Sequence, residues 1–296
     1  MKISKIISAI KAYTRGIDAL NRTNQPIDEK TTRDIVAYGS TNKECTGIAT
    51  TCYASVDVIR KAHEQGINFI ICHESLFWNH GDHTDWLEEQ KNSVYLRKKA
   101  LLDEYDMTVW RFHDYIHSGI PDGKGGWVDG IFKGFLYETG MDPYYVPAVR
   151  SPLQYSMPII LNFNGKKVRE IADMIMDGAN LNGIRLIGDP ETEINYACIP
   201  MHIMFNDNDK ITMIDKRKID LVIAMELIDY TVNIYIRDGI QLGDNKAILT
   251  AGHFNTEELG MKYMLKWLPE VLETDIKSIY LQSGDANHYL IRECIS

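Results

Sequence analysis

Asn68-Phe69-Ile70-Ile71-Cys72-His73-Glu74 is the stretch on which the fold turns. A short apolar run without a polar break reads as a strand buried on both faces. A histidine and a glutamate follow it at once. Upstream, Thr46 to Thr51 reads as a second strand. Between them Val56 to Glu64 reads as a helix, with Val56, Ile59 and Ala62 on one side and Gly66 where a helix stop belongs. Downstream, a helix near Ser93 to Tyr105 leads into a strand at Met107 to Phe112. This β-α-β-α-β order implies parallel pairing and a right-handed layered sheet.

The rest of the chain alternates in the same way. Ile3, Ile6, Ile7 and Ile10, broken by lysines, form an amphipathic first helix and not a secretory apolar core. Pro143, Pro147, Pro152 and Pro158 punctuate a middle stretch that reads as a loop or boundary. Beyond it come strands at 159–163, 184–187, 196–204, 220–225, 247–251 and 278–282, and helices at 168–178 and 256–268. The expected fold class is α/β: two α/β domains with mixed or parallel sheets, the second inserted into the first. The expected boundaries are 1–128 with 241–296 for a discontinuous metal-binding domain, and 129–240 for the insert.

Composition narrows the function classes. The 296 residues carry 41 acidic and 32 basic side chains, a net charge of −9. An acidic chain without a basic run is poorly suited to gripping nucleic acid, and no apolar window is long enough to span a membrane. Cys45, Cys52, Cys72, Cys198 and Cys294 are odd in number and lack CxxC spacing. That argues against a disulfide framework or zinc finger and for a cytoplasmic protein. Asn206 to Asp209 reads as a turn; it lacks the glycine and closing glutamate of a calcium loop. Gly119 to Gly125 fails both the P-loop and the dinucleotide patterns. It reads as a flexible loop opening a helix near Trp127.

Three of the nine histidines follow expected strands directly: His73, His113 and His253. Carboxyl ends of parallel strands form the ligand-binding rim of an α/β sheet. Each brings a companion: Glu74 beside His73, His117 four residues after His113, and Glu257 four residues after His253. Imidazole with carboxylate suits zinc, iron, manganese, cobalt or nickel better than calcium. His80 and His83 lie in a polar loop and read as solvated, His202 reads as structural within a strand, and His288 stays open.

Cys72-His73-Glu74-Ser75-Leu76-Phe77-Trp78, the block His113 to His117, and Gly252-His253-Phe254-Asn255-Thr256-Glu257 resemble the NGG-one-interacting-factor-three-like dinuclear metal family, type 2 GTP cyclohydrolase I-like. Ile223-Ala224-Met225-Glu226 is similar to another segment of that family. Carried over position by position, the resemblance implies the metal ligands His73, Glu74, His117, His253 and Glu257. Glu74 stands where the family has a second histidine, and His117 where it has an aspartate, so the two departures look like an exchange that keeps three imidazoles and two carboxylates. The resemblance further implies two divalent transition-metal ions, zinc, iron or manganese, and a homo-oligomer, a hexamer. The function it implies is a dinuclear metal-dependent hydrolase acting on a small-molecule substrate of nucleotide type. His113 and Glu226 are the catalytic candidates for moving protons. The alternative is a non-catalytic protein of metal storage, delivery or interaction, with the same ligands; a third is a structural protein with a vestigial site.

Overall fold

The computed structural model describes residues 1–18, 24–147, 158–200, 207–226, 229–272 and 274–290. In chain order the elements are α1 (Ile3–Tyr13), β1 (Val36–Tyr38), β2 (Ile48–Thr51), α2 (Val56–Glu64), β3 (Phe69–Cys72), α3 (Asp85–Glu89), α4 (Ser93–Glu104), β4 (Thr108–Arg111), α5 (Asp114–Ser118), β5 (Ile120–Pro121), β6 (Trp127–Val128) and α6 (Gly130–Glu138). They continue with β7 (Ile159–Lys167), α7 (Val168–Ala179), β8 (Arg185–Ile187), β9 (Glu193–Ile199), α8 (Asp207–Lys216), β10 (Leu221–Ala224), α9 (Val232–Gln241), β11 (Ala247–Thr250), α10 (His253–Leu272) and β12 (Ser278–Tyr280). The chain divides into two compact units. The first holds the described residues of 1–135 and 257–283, the second those of 136–147, 157–256 and 284–290.

The first unit is organised by a five-stranded sheet in the order β1-β4-β3-β2-β12. β2, β3, β4 and β12 run parallel, with Ile48 opposite Phe69 and Phe69 opposite Thr108. β1 closes the edge antiparallel. Alternation along β3 explains why the run Phe69–Cys72 has no polar break. Phe69 and Ile71 enter one core with Trp110, Phe112 and the isoleucines of α1. Ile70 and Cys72 enter another with Val109, Ile59 and Ala62. Each fully buried side chain of this size stabilises the fold by about 1.5–3 kcal/mol, so the strand is held firmly from both faces. Its carboxyl end, where His73 begins, is a fixed platform. β12 pairs with β2, so the last strand returns to the first sheet.

The second unit contains a sheet in the order β7-β9-β10-β11-β8. β9, β10 and β11 are parallel, and β7 and β8 flank them antiparallel. Cys198, Val222, Ala224, Ile236 and Ile248 are among the residues of its core. The mixed α/β class read from the sequence is the class of the structure.

Several local expectations are corrected. Trp127 itself lies in β6, which pairs with β5 as a hairpin, and the helix expected near it begins just beyond, at Gly130 after Asp129. Asp207 to Asp209 open α8 and are not a turn. α10 starts at His253, three residues before the expected start. His202 and Cys294 lie outside the described residues, as does the end of the strand expected to reach Met204.

Candidate metal centre

Strand ends supply the first two side chains. His73 follows β3, where its backbone N–H donates to the carbonyls of Thr51 and Cys52 at the end of β2 (3.2 and 3.0 Å). His113 follows β4 and precedes α5. Cys72 and Arg111 are register partners, so the two histidines leave the sheet side by side. Their rings stack at 4.5 Å with planes 9° apart. One turn along α5, His117 presents its ring edge-on to both, 5.0 Å from each. All three are buried.

The rings are oriented by acceptors outside the cluster. His73 Nδ1 lies 3.0 Å from the Phe112 carbonyl oxygen. A carbonyl only accepts, so Nδ1 carries the proton and Nε2 bears the lone pair. His117 Nδ1 donates to Asp129 Oδ2 at 2.8 Å, and His113 Nδ1 to Asp114 Oδ1 at 2.9 Å. Holding the far N–H of an imidazole on a carboxylate or carbonyl is how proteins present the other nitrogen to a metal.

Carboxylates complete the cluster. Glu257 Oε2 lies 3.4 Å from His73 Nε2, and both side chains are at most 1% exposed. The nitrogen is a buried acceptor without a hydrogen-bond donor, facing an oxygen that is also an acceptor. Two lone pairs at that separation in a dry site repel unless a proton or cation lies between them. Ligand atoms of His73, His113 and His117 lie within 4.8 Å of one another, as do those of His73, Glu74 and Glu257. The donor set therefore fits a transition-metal ion. Glu74 is shared: its Oε2 also accepts from Arg111 Nη2 at 3.1 Å. Arg111, itself buried, also donates to the carbonyls of His73 and His80, tying the loop after β3 to β4.

Electrostatics sort the three rings. Burial, with the neighbouring His73 and His117, pushes His113 well below the usual imidazole range. Burial lowers His73 too, against the pull of Glu257. Burial also acts against a proton on His117, but the charge and hydrogen bond of Asp129 and the charge of Glu257 outweigh it and raise its pKa. Cys52 is pushed far up by burial and by Glu257 and Glu74, so it stays a thiol in the metal-free protein.

The sequence did not single out Asp129, Asp34 or Arg111. Asp129 Oδ1 caps α6 by accepting from Ile131 N and Phe132 N, while Oδ2 holds His117. An aspartate just before an apolar helical run is a capping signal that marks the position. Asp34, 79 residues from His113, accepts the backbone N–H of His113 and of Asp114. Burial and the nearby Asp114 push it up to about 7. Two glycines explain how Glu257 is placed. A methyl group on Gly260 would fall 2.4 Å from Ile131 Cα, and one on Gly134 would fall 2.4 Å from Gly260 Cα. α6 and the glycine-bearing part of α10 thus touch backbone to backbone, less than one turn beyond Glu257.

Glu226 and His253 belong to the second unit. Glu226 Oε1 accepts from His253 Nδ1 at 2.5 Å, each side chain about a quarter exposed. The same orienting device as at His73 and His117 recurs there.

The family profile of Duf34/NIF3 (NGG1p interacting factor 3) matches residues 31–285. The chain belongs to this family. Solved structures are similar to this Duf34/NIF3 chain over nearly its whole length. A hypothetical protein SA1388 of Staphylococcus aureus is 15% identical with a TM-score of 0.66, covering 98% of this chain and 99% of its own. A Bacillus cereus protein related to NIF3 is 11% identical with a TM-score of 0.63, covering 99% of both chains. Reduced HcgD from Methanocaldococcus jannaschii is 17% identical with a TM-score of 0.61, covering 95% and 98%. At these identities the likeness carries the fold alone. No curated protein matches the sequence. No helix among the described residues is long and apolar enough to cross a membrane.

Proposed function

We propose that this chain is a metal-dependent hydrolase whose centre takes two divalent transition-metal ions, zinc, iron or manganese, and acts on a small nucleotide-like molecule of the GTP type. The observation that carries the reading is the His73 Nε2–Glu257 Oε2 pair, two buried acceptors facing each other inside a cluster of oriented imidazoles. His73, Glu74, His117 and Glu257 would hold the ions, and His253 joins the set on the resemblance of Gly252 to Glu257. Bound there, such ions supply Lewis acidity and lower the pKa of bound water towards neutrality. His113 is proposed as the base. Asp114 Oδ1 accepts the Nδ1–H of His113 and so turns the other ring nitrogen towards the cluster. Arg111 and the carboxylate of Glu74 hold the loop that borders the centre. Glu226 positions His253.

A homohexamer in the cytoplasm, with no nucleic-acid or membrane partner, completes the proposal on the resemblance and the acidic composition. A second reading, metal storage or delivery, is favoured by the burial of His73, His117 and Glu257, each at most 1% exposed. Metal-loaded protein assayed for GTP hydrolysis, alongside His113→Ala, separates the two. Turnover lost in His113→Ala with metal content unchanged supports the hydrolase. Full metal loading without turnover on any nucleotide supports storage.

A further inference from the structure

The second unit has a cleft of its own, about 740 Å³ in volume, between β8 with the turn after it and one face of α9. Asn233, Arg237 and Gln241 recur every four residues along α9 and border it together. Ile187, Ile234 and Ile240 give it apolar walls, and Asp189 and Asp229 stand with Arg237 among its polar residues. The volume lies in the range of small-molecule sites.

Asn233 is the decisive residue. It is 2% exposed, and neither its Oδ1 nor its Nδ2 has a hydrogen-bond partner among the described residues. A buried carboxamide is costly to leave unpaired, and native proteins rarely do so without a reason. Asn233 is one of the residues that line the cleft, so a ligand entering it lies beside this side chain. An asparagine amide offers one acceptor beside one donor. Its complement is a group with an adjacent donor and acceptor in one plane, the pattern by which asparagine pairs with the N6–H and N7 of adenine. The isoleucine walls suit an uncharged ring. One cation against two carboxylates disfavours a multiply charged anion such as a triphosphate.

We propose that this cleft is a binding site for an uncharged purine base or nucleoside, with the Asn233 amide pairing the edge of the base. The cleft is lined by none of the proposed metal ligands, and the inference does not depend on the hydrolase reading.

Calorimetric titration of the full-length protein with adenosine, guanosine and N6,N6-dimethyladenosine tests it. Asn233→Leu keeps the side-chain volume and removes the amide. The wild type is expected to bind a purine nucleoside saturably. If adenosine is the ligand, the dimethyl analogue, which lacks the N6–H donor, should bind at least tenfold more weakly. Asn233→Leu should lose at least tenfold in affinity for the nucleoside while melting no lower than the wild type, because an unpaired amide has been removed. Absence of saturable binding by either nucleoside to the wild type overturns the proposal. So does adenosine binding in which the wild type accepts the dimethyl analogue equally. A lower melting temperature for Asn233→Leu also overturns it, because the amide then has a structural partner. The analogue comparison uses wild-type protein and stands even if the variant fails to fold.

Discussion

Asp129→Asn tests whether the histidine cluster is a built ligand set. In the wild type, Asp129 Oδ2 takes the Nδ1 proton of His117 at 2.8 Å while Oδ1 caps α6. Asparagine can keep the cap with its one oxygen, but its NH₂ then faces His117 Nδ1. Two donors cannot share a proton, so the imidazole must move its hydrogen to Nε2, the nitrogen that would otherwise meet a metal. Exchanging a buried hydrogen bond to a charged group for a neutral one costs about 1 kcal/mol of stability. Loss of the carboxylate behind a ligating imidazole costs about 10–100-fold in metal affinity, or about 1.4–2.7 kcal/mol. The assay is zinc titration of chelator-stripped protein against a competing chelator, with a melting curve on the same samples. The expected outcome is affinity lowered by that factor and a reduced melting temperature. Zinc affinity within threefold of the wild type, with the melting temperature still reduced, would make Asp129 a helix cap only and not a support of a metal ligand.

Further outcomes follow from the same structure. Gly260→Ala should destabilise the fold by about 1–3 kcal/mol, because its methyl group would meet the Ile131 backbone; chemical denaturation reads this directly. Burial lowers the Lys98 pKa from 10.5 to about 8. The folded state therefore bears the full cost of the buried charge below about pH 8 and is relieved of it as pH rises to 10.5. Stability should climb over that window by up to about 3 kcal/mol, and the climb should be absent in Lys98→Met. The double variant Glu74→His with His117→Asp should not recover metal binding. His117→Asp sets a second carboxylate against Asp129, and Glu74→His leaves the buried Arg111 without its charge partner; metal content of the double variant equal to the wild type's would contradict this. Light scattering should give a hexamer, and a stable 33.9 kDa species would remove that part of the proposal.

What the sequence disclosed follows from burial. β3 was legible because burial on both faces leaves an uninterrupted apolar run, and β2 and β4 because each is a short, fully buried stretch of apolar and β-branched residues with little polar content. α2 was legible from its one-sided pattern; its Ser55 cap was not read. β1 is short, at the sheet edge and at most half-buried, so its side chains carry no period to read. The start of α8 was mistaken for a turn because aspartate and asparagine favour both turns and helix N-termini. The strand-end histidines were visible because the chemistry sits where an apolar run stops. Their supports were not. Asp34 reaches His113 across 79 residues, and Arg111 interrupts its strand as a single charge whose purpose appears only when Glu74 is beside it.

Metal stoichiometry decides whether the histidine cluster is a two-ion centre. The purified protein is stripped, loaded with zinc, iron or manganese, dialysed and analysed by plasma mass spectrometry, beside His73→Ala and Glu257→Gln. Two ions per wild-type chain and a clear loss in both variants are expected, because His73 Nε2 and Glu257 Oε2 are the facing acceptors that a cation relieves. A wild type that retains no metal, or variants that retain as much as the wild type, would contradict that expectation.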